Sequence, residues 1–288
     1  MRKYFIVLRP WQWTKNLLIF IPYILSGQSY GYDTLKIFYI FLLFSLFVSS
    51  TYIFNDIRDV KLDKFHPSKK HRPIASGAID KKSALTLGVS IFTFALMGAY
   101  LITPSSYIYF LLYAFATLLY TLKFKYIFLV DTVLISLMFV IRIFIGGLVS
   151  GIELTTYLII FVFFTSCLLS FSKKISIVNT KGNEKNNFFI LLNKQNQKYG
   201  FKNLYLFFSL LSLVSLIFWF VDLSKDGIAV FEKSMLSFAI LAFTVFLSFI
   251  YKFSKLGKLE DFSSEIIKNK VLFIFSILII ISFSLGYF

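Results

Sequence analysis

Apolar runs of about 20 residues recur along the whole 288-residue chain, and they limit the possible folds more than any other feature. A helix of that length crosses the ~30 Å hydrocarbon core of a bilayer. The mean hydropathy of +0.77 is too high for a water-soluble domain, whose core must be covered by polar surface. The sequence therefore predicts an all-α integral membrane protein, with one polytopic domain over residues 1–288.

Nine apolar segments are long enough to be spans, and we predict nine transmembrane helices. They cover residues 13–28, 35–54, 84–102, 105–121, 127–149, 152–172, 203–221, 232–251 and 271–287. Most of the 30 Lys and Arg residues lie at the N-terminus or in the alternate loops 55–83, 122–126, 173–202 and 252–270. Because Lys and Arg favour cytoplasmic loops, we place the N-terminus and these loops on the cytoplasmic side of the inner (plasma) membrane. The active site is expected on that side.

The net charge of +16 raises the question of nucleic-acid binding. The charge is spread over loops between spans, however, and no basic soluble module is present, so no nucleic-acid partner is expected. The charge instead suits anionic lipid headgroups and anionic substrates. The single cysteine, Cys167, excludes an internal disulfide and a multi-cysteine metal site.

The segment "NDIRDVKLD" places Asn55 and three acids directly after an apolar run. If the helix of the second span continues through it, Asp56, Asp59 and Asp63 lie at i, i+3 and i+7, on one helical face. Carboxylates this close repel each other unless a cation neutralises them. Mg²⁺ favours one or two carboxylates together with phosphate oxygens and water. We therefore predict a Mg²⁺ site at these three acids; a solvated acidic turn paired with neighbouring bases is the alternative.

A basic segment, "HPSKKHRP", follows the acids within a few residues. The guanidinium of Arg72 offers a planar fork for phosphate, and Lys69 and Lys70 offer mobile point charges. Metal-binding acids beside phosphate-binding bases predict a diphosphate site. His66 and His71 are interpreted as incidental, since oxygen ligands suit Mg²⁺ better.

The first predicted span carries polar residues that are unusual in a membrane helix. Lys15 and Asn16 must face a partner or a water-filled cavity, which makes them candidate site residues. Arg9 is interpreted as a side chain that reaches the lipid headgroups, with Trp11 and Trp13 as interface anchors.

The fifth predicted span contains two charged residues, Asp131 and Arg142. They are eleven residues apart, which is about 16 Å along a helix, so they do not pair directly. A charged side chain within the bilayer is costly, so Arg142 is expected to face the bundle interior, with a structural pair to another helix as the alternative. Tyr120 and Lys123, at the preceding inward loop, are further candidates for phosphate binding.

Lys173 and Lys174 stand at the inward end of the sixth predicted span. They are candidates for an anion site, or they follow from the bias of cations toward cytoplasmic loops. The loop 173–202 contains no aspartate and only one acid, Glu184.

Together these segments resemble the UbiA-type intramembrane prenyltransferase superfamily, whose signature N-D-x-x-D-x-x-x-D matches residues 55–63 without gaps. The resemblance is strongest to the decaprenyl-phosphate phosphoribosyltransferase branch, through "RPWQWTKN", "NDIRDVKLDKFHPSKKHRPIASG", "YTLKFKYIFLVDTVLI" and "EDFSSEIIKNK". It implies nine helices around a central cavity, with a metal site at the cytoplasmic mouth. This chain has "FSKKISIV" where the branch usually has Gly-Lys-Arg-x-x-Glu.

The resemblance implies Mg²⁺-dependent transfer of 5-phosphoribose from phosphoribosyl diphosphate (PRPP) to a polyprenyl, decaprenyl-type, phosphate. The product would be a lipid-linked pentose donor for cell-wall biosynthesis. Asp56, Asp59, Arg72 and Lys123 are the expected catalytic residues. The expected substrate-binding residues are Lys15, Asn16, Asn55, Lys69, Lys70, Tyr120, Arg142, Lys173 and Lys174.

Two alternatives stay open at this point. In the first, a prenyl group moves from prenyl diphosphate to an aromatic or other small acceptor. The lack of a second aspartate cluster in 173–202 makes that site harder to assemble. In the second, the protein is a transporter with Asp131 and Arg142 on its pathway, although most acids lie at one mouth rather than at mid-membrane. Polyprenyl chain length and homo-oligomer formation are both left open.

Overall fold

The computed structural model describes residues 2–25, 32–64, 69–122, 124–180, 187–224, 230–259 and 262–287. Every regular element in these ranges is a helix, which confirms the predicted all-α class. The α-helices are α1 (Arg2–Leu8), α2 (Ile21–Leu25), α3 (Tyr32–Asp63), α4 (Lys81–Ile102), α5 (Tyr107–Leu122), α6 (Val130–Ser150), α7 (Thr156–Asn179), α8 (Asn187–Tyr199), α9 (Phe201–Ser224), α10 (Val230–Lys255), α11 (Phe262–Lys268) and α12 (Lys270–Tyr287).

Seven helical segments of the described chain are long and apolar enough to cross a membrane. They are Thr34–Asp63, Lys81–Ile102, Pro104–Leu122, Val130–Ser150, Thr156–Asn179, Phe201–Asp222 and Val230–Lys255. On the second of them, Met97 is 65% and Leu101 71% exposed, as expected for side chains that face lipid. Seven of the predicted spans are thus confirmed as long helices, and α12 at the ninth is a shorter apolar helix. The count of nine is not confirmed.

The first predicted span is not one long α-helix. It begins with a 3₁₀ segment, Pro10–Phe20, and continues as the five-residue α2. Pro22, the second residue of α2, has no N–H group to donate to the preceding turn, which favours a break in regular α-helical hydrogen bonding there. Pro10 is at the first position of the 3₁₀ segment, where proline is tolerated. Side chains of the 3₁₀ segment also bond to α3: Trp13 Nε1 donates to Ser49 Oγ at 3.0 Å.

The chain divides into two compact units. The first comprises residues 1–124 and 141–153, so it contains α1 to α5 and the second half of α6. Its core includes Phe44 and Phe47 of α3 and Phe110 of α5, all fully buried. The ring centroids of Phe44 and Phe110 are 5.1 Å apart with an edge-on geometry, which adds to the stabilisation from burial.

Asp80 begins α4 in the first unit as its N-cap. The backbone N–H of Ser83 donates to Asp80 Oδ1 at 2.9 Å, and this bond lowers the pKa of the exposed carboxyl. The sharp start of α4 therefore follows from a local sequence signal.

The second unit comprises residues 125–140 and 154–288. Its helices pack mainly as two pairs, α7 with α9 and α10 with α12. Phe171 of α7 is fully buried and stacks on Phe208 of α9, with ring centroids 5.6 Å apart. Trp219 of α9 contacts Phe283 of α12 at 4.8 Å, so aromatic side chains join the pairs into one core.

Glycines near the end of α6 predict close helix packing through a G-x-x-x-G spacing. That spacing is formed by Gly147 and Gly151, but the close contact lies at the neighbouring Gly146, where an added Cβ would lie 2.1 Å from the backbone oxygen of Ile19. The prediction of close packing is wrong for Gly151, which has a φ of +68° and nothing within 4 Å of an added Cβ. Gly151 permits a left-handed turn instead.

Replacing Gly146 by alanine is expected to destabilise the protein by about 1–3 kcal/mol, because a backbone oxygen cannot yield to the new methyl group. The measurement is the apparent melting temperature in detergent. Gly98→Ala is the matched control, since the atoms nearest to its added Cβ belong to the flexible side chain of Leu43 and not to a backbone. Equal melting temperatures for the two variants would contradict close packing at Gly146.

Candidate active site

The acids of the "NDIRDVKLD" segment lie on the last turns of α3, which ends at Asp63. This confirms that the helix of the second span continues through them, so Asp56, Asp59 and Asp63 share a face at i, i+3 and i+7. Asp56 and Asp63 are each 3% exposed, and Asp59 is half-buried. Two carboxylates so deeply buried require positive partners.

Arginines from two other segments supply those partners. Arg9 Nη2 lies 2.6 Å from both carboxylate oxygens of Asp56. Arg72 Nη1 bridges the two acids, at 3.0 Å from Asp56 Oδ1 and 2.7 Å from Asp63 Oδ2. We call these four residues the α3 charge cluster. Arg72, predicted as a phosphate-binding base beside the acids, is thus their ion-pair partner in this structure. The interpretation of Arg9 as a side chain that reaches the lipid headgroups is wrong.

The backbone at Arg9 is unusual, with φ 51° and ψ 57° between α1 and Pro10. A non-glycine residue in this left-handed region is strained unless its surroundings fix it. Besides its ion pair, the guanidinium of Arg9 lies 5.2 Å from the ring centre of Tyr52. Ser49 Oγ donates to the preceding carbonyl, Leu8 O, at 2.7 Å. These contacts with α3 hold Arg9 against Asp56.

An apolar core brings the two arginines to the acids. Val7 of α1, Val60 of α3 and Ile74 of the 69–80 connection pack together with Ile53, Ile79 and Ala84. Val7 precedes Arg9 by two residues, Ile74 follows Arg72 by two, and Val60 lies between the two buried acids. Burial of these side chains therefore fixes the separate segments that carry the charge cluster.

The other predicted residues near the acids lie on α3 and on the 3₁₀ turn that precedes Arg72. Asn55 is half-buried beside Asp56, and Lys69 is half-buried on the 3₁₀ turn Lys69–His71. Lys70 and His71 on that turn are exposed. The backbone N–H of Arg72 donates to Lys69 O at 3.0 Å, so the turn leads directly into the charge cluster. His66 lies outside the described residues.

A second polar cluster in the first unit surrounds Arg142. This residue is 3% exposed, which confirms that it faces the protein interior. Its Nε donates to Asn16 Oδ1 at 2.8 Å, and its Nη2 donates to Tyr113 OH at 3.2 Å. Asn16 Nδ2 in turn donates to Ser45 Oγ at 3.0 Å. Two predicted residues, Asn16 and Arg142, are thus joined, while Tyr113 and Ser45 had no distinguishing signal in the sequence.

The remaining candidates of the first unit are half-buried or lie outside the described residues. Lys15 Nζ donates to Gln12 Oε1 at 2.5 Å. Tyr120 is half-buried near the end of α5, and Lys123 lies outside the described residues. Arg58 donates to the carbonyl oxygens of Thr121 and Leu122, which satisfies the open C-terminal end of α5.

Lys173 and Lys174 belong to the second unit and differ in their surroundings. Lys173 is exposed, whereas Lys174 is 5% exposed. Lys174 Nζ lies 2.7 Å from Asp131 Oδ2 and donates to Thr132 Oγ1 at 2.9 Å. Its ammonium also lies 4.9 Å from the ring centre of Phe171. The partner of Asp131 is therefore Lys174, a pairing that the sequence did not indicate.

The donor chemistry of the α3 charge cluster fits a hard divalent cation, because carboxylate oxygens are the ligands that Mg²⁺ prefers. Asp56 and Asp63 already share one cationic group, the Nη1 of Arg72. Over the part of the chain that the structure describes, no three Asp, Glu, His or Cys side chains gather as they would around a metal ion. In this arrangement the oxygens of Asp56 and Asp63 accept hydrogen bonds from guanidinium groups instead.

Replacing Arg72 by glutamine is expected to destabilise the chain by about 1.5–3 kcal/mol, because two buried carboxylates then face each other without their shared cation. Added Mg²⁺ should recover part of the loss by replacing the missing charge. The measurement is the melting temperature with and without Mg²⁺. Lys70→Gln, on the exposed side of the same turn, should melt as the wild type does. If the Arg72→Gln protein melts at the wild-type temperature, Arg72 does not hold the acids.

The model of the UbiA prenyltransferase family matches residues 17–258 of this chain. The chain is 32% identical over 172 residues to decaprenyl-phosphate phosphoribosyltransferase of Mycobacterium tuberculosis (strain CDC 1551 / Oshkosh). That match covers 58% of this chain and 57% of the mycobacterial protein, so little more than half of each is aligned. The chain therefore belongs to the UbiA prenyltransferase family.

Solved structures agree with the family at the level of the fold. A structure of digeranylgeranylglyceryl phosphate synthase has a TM-score of 0.68 at 18% identity and covers 100% of this chain and 99% of that one. A UbiA homolog from Archaeoglobus fulgidus, bound to DMAPP and Mg²⁺, has a TM-score of 0.66 at 15% identity, covering 99% of this chain and 98% of that one. At these identities the likeness establishes a UbiA-type fold. The family match and the long apolar helices together indicate an integral membrane protein.

Proposed function

We propose that this protein transfers the 5-phosphoribosyl group of PRPP to a polyprenyl phosphate of decaprenyl type and releases diphosphate. The observation that carries the proposal is the α3 charge cluster, in which buried carboxylates and two arginines lie together. The relatives named decaprenyl-phosphate phosphoribosyltransferase support the choice of donor and acceptor. The product would be a lipid-linked pentose donor for cell-wall biosynthesis.

In this proposal Asp56, Asp59 and Asp63 hold Mg²⁺. When bound, the ion neutralises the charge that develops on the departing diphosphate. Arg72, Lys69 and the polar residues listed next bind the remaining phosphate oxygens and ribose hydroxyls: Lys15, Asn16, Asn55, Lys70, Tyr120, Lys123, Arg142 and Lys173. Lys174 is left out of this set because its buried ammonium is bound by Asp131 and Thr132. The donors that these side chains supply stabilise charge without reorganising during the reaction.

The lipid phosphate acceptor needs no activation by a side chain of the protein. A polyprenyl phosphate is already an anion at neutral pH, so its oxygen attacks the anomeric carbon of ribose without a general base. The C–O bond to diphosphate breaks with its electron pair on the leaving group, through an oxocarbenium-like state. Alignment of the two substrates would then supply much of the rate acceleration. Exposed apolar side chains on the membrane-facing helices are suited to the lipid tail.

We further propose that the chain lies in the inner (plasma) membrane with the charge cluster on the cytoplasmic side. The support is the concentration of Lys and Arg in alternate loops. Water-soluble PRPP would then reach the site from the cytoplasm, and the lipid phosphate would enter from the bilayer.

The rival function within the same fold is transfer of a prenyl group from prenyl diphosphate to a small acceptor. The family as a whole is described as a prenyltransferase family, which favours it in general terms. The absence of aspartate in the loop 173–202 weighs against it. The two functions differ in which molecule carries the diphosphate.

The test gives the purified protein PRPP labelled in the ribose ring together with decaprenyl phosphate and Mg²⁺. The proposal predicts a label that moves into the organic phase and stays in water when the lipid is omitted. A parallel reaction receives a labelled prenyl diphosphate and an aromatic acid. Prenylation of the aromatic acid, with no label transferred from PRPP, would show that the rival function is correct.

A further inference from the structure

The oxygens that a divalent cation would use on Asp56 and Asp63 are held by two guanidinium groups. Two carboxylates and two guanidiniums give the charge cluster no net charge. A divalent cation added to it would lie against Arg9 and Arg72, and like charges at such short range repel strongly where water is scarce. The cation and the arginines therefore compete for the same oxygens.

The arginines, and not the acids, are the partners that can move. The side chains of Asp56 and Asp63 are 4% and 5% exposed, and both lie on the continuous helix α3. The side chains of Arg9 and Arg72 are 18% and 25% exposed, and both lie on segments that connect helices. A long, partly exposed arginine side chain can swing away without disturbing α3.

A displaced guanidinium needs another anion, and the proposed donor supplies one. The planar fork of arginine binds phosphate oxygens as well as it binds a carboxylate. If a cation arrives together with a diphosphate group, each positive charge in the cluster keeps a negative partner. If the cation arrives alone, two guanidiniums lose theirs.

We propose that Arg9 and Arg72 are exchangeable counterions. They hold Asp56 and Asp63 in the metal-free protein and turn to the diphosphate of the donor when the divalent cation binds. The cation and diphosphate consequently bind weakly alone and tightly together, each raising the affinity of the other by the same factor. This inference rests on the proposed function and adds Arg9 to its diphosphate-binding residues.

The experiment measures Mn²⁺ bound to the purified protein in nanodiscs by equilibrium dialysis at fixed free Mn²⁺, with and without inorganic diphosphate. For the wild type, diphosphate should raise the Mn²⁺ affinity by about tenfold or more, within the usual range of coupling between two sites. Arg9→Gln removes a competing cation. It should therefore bind Mn²⁺ alone several-fold more tightly and show a smaller gain from diphosphate.

Arg58→Gln is the matched control. Like Arg9→Gln, it removes one guanidinium charge close to Asp56. Arg58 lies on α3, two residues from Asp56, but its guanidinium bonds to the carbonyl oxygens of Thr121 and Leu122. Its Mn²⁺ affinity should stay close to that of the wild type, because an exposed charge is screened by salt. Arg9→Lys, which keeps the charge, should retain weak binding of Mn²⁺ alone.

Two results would overturn the inference, and they are distinguishable. If Arg9→Gln binds Mn²⁺ alone no more tightly than the wild type, Arg9 is not a competing counterion, and the proposed function still stands. If the wild type binds no more Mn²⁺ than Asp56→Asn does, with or without diphosphate, the α3 acids hold no metal. In that case both the inference and the metal site of the proposed function fail.

Discussion

Replacing Asp56 by asparagine is expected to reduce phosphoribosyl transfer about 10³-fold, the scale seen when one preorganised electrostatic group is removed from an active site. The asparagine keeps the shape of the side chain but not its charge. Arg9 and Arg72 then lose a shared buried counterion, and the proposed metal loses a ligand. The measurement is kcat/KM for PRPP with a saturating lipid phosphate.

Asp80→Asn provides the matched control for this substitution. Asp80 is exposed at the start of α4 and caps it through a bond from Ser83 N. Asparagine caps a helix about as well as aspartate, so this variant should keep wild-type activity and stability. An Asp56→Asn protein that melts normally and retains a third of the wild-type activity would contradict a catalytic α3 cluster.

The second large effect is expected in the second unit, where Asp131→Asn should destabilise the protein by about 3–5 kcal/mol. The side chains of Lys174 and Asp131 are 6% and 8% exposed. Removing the carboxylate leaves a buried ammonium group with no charged partner that the structure describes. The apparent melting temperature and the yield of folded protein from membranes both report this loss.

Removing both charges should reverse most of that loss. In the double variant Asp131→Asn and Lys174→Met, no ammonium group is buried without its carboxylate, and such replacements are often neutral or stabilising. Lys173→Gln changes the neighbouring exposed lysine and should leave the melting temperature unchanged. If the double variant melts no higher than Asp131→Asn alone, the ion pair does not account for the stability of this region.

Lys173 and Lys174, which the sequence does not distinguish, are expected to have different roles. The ammonium of Lys174 is bound by Asp131 and Thr132, which gives it a structural role in the second unit. Lys173 is exposed and stays a proposed phosphate-binding residue. A loss of activity in Lys173→Gln at normal stability would support that role.

The sequence predicts best those features that depend on neighbouring residues. The long apolar helices follow from composition, and the common face of Asp56, Asp59 and Asp63 follows from helical spacing once α3 continues to its end. Arg72 lies close enough along the chain for its association with the acids to be expected. Each of these predictions needs only local geometry.

The features that the sequence does not predict depend on tertiary contacts. Arg9 pairs with an acid 47 residues away, and its chemistry alone fits a lipid-facing side chain equally well. Lys174 and Asp131 are 43 residues apart on different helices. The first predicted span is apolar enough for a membrane helix, yet it begins with a 3₁₀ segment whose side chains bond to α3. No periodicity in the sequence encodes such contacts.

The most direct test of the proposed reaction follows separate labels on PRPP through one reaction with decaprenyl phosphate and Mg²⁺. One label marks the 5-phosphate, and the other marks the diphosphate at the anomeric carbon. We expect the 5-phosphate label to enter the lipid product while the diphosphate label is released to water as diphosphate, and we expect Asp56→Asn to slow both changes about 10³-fold. A diphosphate label in the lipid, or no transfer of either label by the folded wild-type protein, would contradict the proposed reaction.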